Sequence, residues 1–297
     1  MKSATRPQQM NTQSPIKKLP TNITGKDYVV GDLHGCYEQL ERLLDHVRFD
    51  TTYDRLISVG DLIDRGPESL RCLNLLAKHW FHAVKGNHES MMIEFFEPYL
   101  VNGYLEYLDE LYDNGFLENG GDWIQSYFVP DPGGMTEEFN LGIAMAQAMP
   151  SILIVGEGSS RFNVVHAELA RSDLNSIFQP VWLDSDLDLW HTNQAIDPNT
   201  QEKLYWGRKL QRKKNFPAIE SGLSITFCGH TFSENPRQVL SHLCIDTGAF
   251  ISERRQYVED AAFGLTLFDV RESRWFKAST GPSKIIESAH DYGVDRD

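Results

Sequence analysis

Asp32, His34, Asp61, Asn87, His166 and His230 each follow a short apolar run, and together they supply two carboxylates, three imidazoles and one amide. Oxygen and nitrogen donors without a thiolate suit borderline ions such as Mn2+, Fe2+/Fe3+ or Zn2+ rather than a cysteine-rich structural zinc. In Asp32-Leu33-His34 a period of two lets both donors face one way while Leu33 turns into the core. Six donors exceed what one catalytic ion with an open position can use. They fit two ions sharing a carboxylate, roughly 4 Å apart. Such a pair provides hydroxide near neutral pH and neutralises phosphate oxygens, lowering both electrostatic barriers to attack on a dianion. His88 and Asp64 then read as a general acid and the group that orients it, the proton going to the leaving oxygen. Arg65, beside Asp64, can clamp non-bridging oxygens together with an arginine from elsewhere in the chain. The scheme needs no covalent phosphoenzyme.

These residues need a scaffold that gathers loop ends. Between residues 26 and 89 one pattern occurs three times: an apolar run, then a Gly-Asp or Gly-Asn turn, with a helical pattern after at least two of the turns. The three turns are Gly31-Asp32-Leu33-His34-Gly35, Gly60-Asp61-Leu62-Ile63-Asp64-Arg65-Gly66 and Gly86-Asn87-His88-Glu89. Leu40, Leu43, Leu44 and Val47 mark one helix at helical spacing; Leu70, Leu73 and Leu76 mark the next, with Pro67 suited to its first turn. Strand, turn, helix, strand is the βαβ grammar of an α/β fold with parallel strands, whose ligands bind at the carboxyl ends of the strands. Further strands are expected at 152–155, 162–165, 224–227, 239–241, 243–245, 264–268 and 274–277, and a helix at about 137–148. Two of these strands again end in histidine, His166 and His230. Residues 1–25 are expected as a flexible polar tail, 26–280 as a single catalytic domain and 281–297 as a second polar tail.

The balance of 28 basic against 42 acidic residues in a 297-residue chain gives a net charge of −14. That argues against nonspecific nucleic-acid binding, which needs basic surface, and against docking on an anionic membrane. No apolar run approaches the length of a membrane span or a secretory signal. Cys36, Cys72, Cys228 and Cys244 are scattered, so reduced thiols and a cytoplasmic location are expected.

The three turns resemble the signature motifs of the PPP-type metallophosphatases, in the form found in the phage lambda and bacterial serine/threonine protein phosphatases. Gly229-His230-Thr231 and Ile245-Asp246-Thr247-Gly248-Ala249 also resemble family segments, and similarity runs from about Tyr28 to Phe250. The resemblance implies the calcineurin-like metallophosphoesterase fold, a two-sheet β-sandwich flanked by helices. It implies one ion on Asp32, His34 and Asp61, and a second on Asp61, Asn87, His166 and His230, with Mn2+ expected and iron or zinc as alternatives. It pairs His88 with Asp64 as the acid and gives Arg65 to phosphate. Tyr205-Trp206-Gly207-Arg208 is similar to the family's tryptophan-x-arginine segment, so Arg208 becomes the second phosphate arginine. The substrates implied are phosphorylated proteins or peptides. The segment that carries a site tyrosine in eukaryotic members is not visible, which leaves phosphotyrosine open beside phosphoserine and phosphothreonine.

Two other functions compete. A dinucleoside polyphosphate hydrolase would use the same metal cage, but that group usually lacks an aspartate at Asp64 and ends its third motif in aspartate where this chain has Glu89. A catalytically dead scaffold that binds phosphoproteins would not need every ligand and the acid to be present. His46, His79, His82, His191, His242 and His290 read as surface or packing residues. The basic run 208–214 reads, Arg208 apart, as a solvated face.

Overall fold

The computed structural model describes residues 14–108, 111, 114–131, 133–171, 181–212, 219–254, 262–281 and 285–290. Its first strands are β1 (Ile16–Leu19), β2 (Asp27–Val30), β3 (Arg55–Ser58), β4 (Phe81–Ala83), β5 (Phe128–Val129), β6 (Gly134–Met135) and β7 (Ile152–Val155). They are followed by β8 (Phe162–Val165), β9 (Thr226–Cys228), β10 (Arg237–Val239), β11 (His242–Cys244), β12 (Leu265–Asp269), β13 (Arg274–Ala278) and β14 (Ile286–Ala289). Two six-stranded sheets result, in the orders β14-β13-β12-β2-β3-β4 and β1-β7-β8-β9-β11-β10, with β5-β6 as a separate small pair. In the first sheet β2, β3 and β4 are mutually parallel; in the second, β8, β9 and β11 are. The parallel grammar expected from the three turns is therefore present, split over two mixed sheets.

Alternation along each strand builds the layers. Val29, Ile57 and Val59 meet Leu153, Val155, Val164, Phe227 and Ile245 between the sheets, forming the middle core. Tyr28, Val30 and Leu56 point the other way, against helices α1 (Tyr37–Val47), α2 (Ser69–Leu73), α3 (Asn87–Phe95) and α5 (Glu137–Gln147). The short α4 (Glu97–Asn102) precedes α5 in the chain, and Tyr99 on it joins the same core. On the far side Ile152, Ile154 and Val165 pack with Leu187 and Trp190 of α6 (Asp184–Asn193) and Leu204 of α7 (Pro198–Trp206). A last short helix, α8 (Ala249–Arg254), follows β11. Strands buried on both faces read as unbroken apolar runs, which is why they stand out in the sequence. Among the described residues no helix is long and apolar enough to cross a membrane.

Both expected tails need correction. Ile16–Leu19 forms β1 in parallel register with β7, its Ile16 and Leu19 are buried, and Pro15 O accepts the Ser151 and Ile152 amides. Ile286–Ala289 pairs with β13 as an edge strand. Backbone pairing, which local polarity does not report, orders both: with the distant β7 for the first and with the preceding β13 for the second. Residues 1–13 and 291–297 of those tails, and Lys213 and Lys214 of the basic run, lie outside the described residues.

Candidate active site

The parallel strands deliver the candidate residues to one end of the sandwich. The loop after β2 carries Asp32 and His34, the loop after β3 carries Asp61, Asp64 and Arg65, and Asn87 and His88 open α3 just beyond β4. From the second sheet, His166 follows β8 and His230 follows β9. Asp32, His34, Asp61, Asp64, Asn87, His88, His166 and His230 are all buried. Close approach of these loops requires glycine: a Cβ on Gly86 would lie 2.1 Å from Asp61 Oδ1, and one on Gly229 would lie 1.8 Å from Asp32 Oδ1.

Asp61 is the hub. Its carboxylate belongs to two potential cation-holding groups, His34–Asp61–His88 and Asp61–His166–His230, in each of which the donor atoms lie within 4.8 Å of one another. Oδ1 is 3.4 Å from His166 Nε2, and Oδ2 is 3.6 Å from His34 Nε2. Asn87 Oδ1 lies 2.9 Å from His166 Nε2. Asp32 falls outside both groups; its Oδ2 accepts the His230 amide at 3.0 Å, and its buried Oδ1 has no hydrogen-bond partner.

The donor set fits cations. His166 Nδ1 donates to Val59 O at 2.9 Å, so in the neutral ring Nε2 turns its lone pair toward the Asn87 and Asp61 oxygens. Acceptors then face acceptors, which a positive ion between them would relieve. His34 is held the same way, Nδ1 donating to Ile63 O at 2.9 Å. Its Nε2 accepts from Arg65 Nη1 at 2.8 Å, so that lone pair serves either the guanidinium or a cation. His230 Nε2 is buried without a partner. Burial holds the His34, His166 and His230 imidazoles below their ordinary value, in the neutral form that ligates metals. Burial alone would raise Asp61, but the imidazoles of His166, His88, His34 and His230 outweigh it and keep the carboxylate ionised.

His88 differs in its bonding from His34, His166 and His230. Nδ1 donates to Asp64 Oδ2 at 2.6 Å, while the buried Nε2 has no hydrogen-bond partner and lies 3.9 Å from Asp61 Oδ2. Burial pulls this imidazole down, yet the Asp61 and Asp64 carboxylates prevail and hold it above its ordinary value. The arrangement suits a proton donor. Arg65 lies over the Phe250 ring, 4.6 Å from its centroid, and Arg208 donates to His230 O at 3.2 Å and Thr231 Oγ1 at 3.3 Å. Both arginines line a pocket of about 300 Å³ with His230, Phe232, Asp246 and Phe250. Burial pushes the Asp246 carboxyl up to about 6.

Several contributors escape a reading of motifs. Glu89, fully buried, accepts the amides of Asp61 (3.0 Å), Leu62 (2.7 Å) and Gly86 (2.8 Å), tying the second turn to the third. Its position three residues into α3, where a glutamate can accept the amide of the N-cap residue Gly86, is half of a capping box and the signal that could have exposed it. Glu168 Oε1 accepts the Leu210 and Gln211 amides and so anchors the segment that follows Arg208. Trp123 Nε1 donates to Asp64 Oδ1 at 2.7 Å, a contact spanning 59 residues that no local pattern announces.

Two six-stranded sheets with buried carboxylates and imidazoles at their common loop end are the frame of a metallophosphoesterase, and the model of the calcineurin-like phosphoesterase family matches residues 28–234. The chain belongs to that family. Serine/threonine-protein phosphatase 2 of Escherichia coli (strain K12) is 32% identical over 230 residues, covering 77% of this chain and 90% of that protein. A symmetrical bis(5'-nucleosyl)-tetraphosphatase from Mannheimia succiniciproducens is 55% identical, but over 68 residues only, 25% of its length. Among solved structures, the cold-active protein-tyrosine phosphatase of a psychrophile, Shewanella sp., shares the fold with a TM-score of 0.53 at 14% identity, covering 89% of this chain and 80% of that one.

Proposed function

We propose that this chain is a metal-dependent phosphoprotein phosphatase that hydrolyses phosphomonoesters of serine and threonine, with phosphotyrosine also admitted. The observation that carries the reading is Asp61 shared between two groups of imidazoles, beside a His88 Nε2 that makes no hydrogen bond. Two divalent cations, which we take to be Mn2+, would be held by Asp32, His34 and Asp61 and by Asp61, Asn87, His166 and His230. A pair of such ions supplies a water acidic enough to ionise near neutral pH and offsets charge on the phosphoryl oxygens.

The chain's own residues do the rest. Arg65 and Arg208 take non-bridging oxygens and set the phosphorus for in-line displacement. His88 gives the Nε2 proton to the departing oxygen, and Asp64, bonded to Nδ1, keeps the ring turned toward it. Likeness over nearly the whole of a serine/threonine-protein phosphatase supports phosphoproteins as substrates. The catalytic unit we propose extends the 26–280 span at both ends, because β1 and β14 belong to its sheets. Four buried free thiols fit work in the reducing cytoplasm.

The test is phosphate release by metal-stripped protein, with and without Mn2+, from matched phosphoserine, phosphothreonine and phosphotyrosine peptides and from diadenosine tetraphosphate. Mn2+-dependent hydrolysis of the peptides with the dinucleotide untouched is expected. Cleavage of the dinucleotide alone would move the enzyme to the nucleotide hydrolases, the reading favoured by the short stretch of 55% identity. Silence on all four, with no ion bound, would leave a phosphoprotein-binding scaffold.

A further inference from the structure

We propose that Trp123 is a positioning residue for the general acid, completing a Trp123–Asp64–His88 relay; the proposal rests on the phosphatase reading above. Asp64 is fully buried, and each of its carboxylate oxygens has one side-chain partner: Trp123 Nε1 on Oδ1 at 2.7 Å and His88 Nδ1 on Oδ2 at 2.6 Å. The terminal torsion of an aspartate is broad and two-fold, so a carboxylate held by one oxygen alone can swing. Held by both, it keeps Oδ2 aimed at the histidine and thereby fixes the direction of Nε2. An indole N–H only donates, so it binds the carboxylate without offering His88 a competing acceptor.

The backbone sets Trp123 in this place. The indole rests against Tyr127 and Phe139, each ring centroid 5.8 Å away. The turn just before it reaches the catalytic loop directly: Gly120 O accepts the Arg65 amide at 3.4 Å, and Gly120 has φ +102°. A Cβ there would come within 2.8 Å of Arg65 N, so the chain passes at a distance open to glycine. Glu118 and Asn119, just upstream, line the pocket. The segment from the rim to the indole therefore joins the substrate mouth to the proton donor.

The experiment compares wild type, Trp123→Phe, Trp123→His and Asp64→Asn as full-length, Mn2+-loaded proteins on two substrates. A phosphoserine peptide needs a proton on its leaving alkoxide; p-nitrophenyl phosphate releases a phenolate that does not. Trp123→Phe keeps the aromatic packing and loses the donor. It should lower kcat on the peptide by about tenfold or more, with KM steady, and change p-nitrophenyl phosphate turnover less than about twofold. Trp123→His, which retains a ring N–H, should recover part of the loss. Adding Trp123→Phe to Asp64→Asn should cost nothing further on the peptide, since the relay is already broken. Equal losses on both substrates, or full additivity with Asp64→Asn, would overturn the relay and leave the phosphatase reading intact. A wild type inactive on both substrates would overturn the two together. Metal-free, 15N-labelled protein gives a readout without turnover: the Trp123 indole N–H resonance should shift on Asp64→Asn, and a resonance that stays put would overturn the contact itself.

Discussion

Replacing Glu89 by alanine should destabilise the protein by an amount that its bonding allows to be worked out. The carboxylate accepts three backbone amides, those of Asp61, Leu62 and Gly86, at 2.7 to 3.0 Å, and it is completely shielded from water. A buried donor left unsatisfied costs about 1–3 kcal/mol. With some relaxation of the two loops, the alanine variant should lose on the order of 4 kcal/mol. Glutamine separates charge from shape: its amide oxygen can keep the two amides now on Oε2, while its NH2 opposes the Leu62 N–H, for a loss of about 2 kcal/mol. Urea denaturation of the EDTA-treated proteins, followed by far-ultraviolet circular dichroism, reads these losses without interference from bound ions. With a slope of about 3 kcal/mol/M, the alanine variant's midpoint should fall by more than about 1 M and the glutamine variant's by about half as much. An alanine midpoint within about 0.3 M of wild type would mean the three donors find other acceptors cheaply, and the reasoning would fail.

Arg208→Ala should cut kcat/KM for a phosphopeptide by about 10- to 100-fold, the worth of charge-assisted bonds to phosphate, and steady-state kinetics showing no change would remove Arg208 from the site. His242 is buried with its Nε2 accepting the Leu169 amide at 3.0 Å, and burial lowers it from 6.5 to about 4. The unfolded chain then binds the extra proton, so its contribution is intact above pH 6.5 and is lost as pH falls toward 4, by about 3 kcal/mol in all. His242→Gln, which keeps an acceptor for Leu169, should flatten that part of the stability–pH curve measured by denaturation; an unchanged slope would count against it. Ile16→Ala should cost about 2–4 kcal/mol because Ile16 is buried at the β1–β7 pair, and a thermal melt unaltered by the change would return β1 to the status of a tail.

What could be read from the sequence follows the range of the interactions involved. The loops bearing Asp32 and Asp61 were legible because each follows a strand whose buried residues are contiguous in the chain, whereas in β4, ahead of Asn87, a half-buried His82 separates Phe81 from Ala83. β1 was not: in Ile16-Lys17-Lys18-Leu19 only the two ends are buried, and the order comes from β7, far along the chain. β14 is exposed at every position, so it carries no hydrophobic pattern at all. Histidine type and strand-end position drew attention to His166 and His230, whereas Asp246 and Trp123 depend on how remote loops meet. Glu89 lay in plain view within a motif, yet its role as acceptor for two loops emerges only once both loops are placed.

Of the nine non-glycine residues with left-handed backbone among those described, five are His34, Asp61, Asp64, Arg65 and His230. An L side chain in that region costs on the order of 1 kcal/mol, a penalty that aspartate and histidine bear better than arginine and that glycine escapes. The rest of the sandwich carries this load on behalf of the loop end. Glycine would relieve the backbone cost at these positions, but at Asp64 it would strand the His88 and Trp123 N–H groups that the carboxylate now accepts, so there the exchange is unfavourable. Backbone strain and side-chain bonding are thus opposed at this loop end, and the left-handed turns persist because the side chains are held where they are.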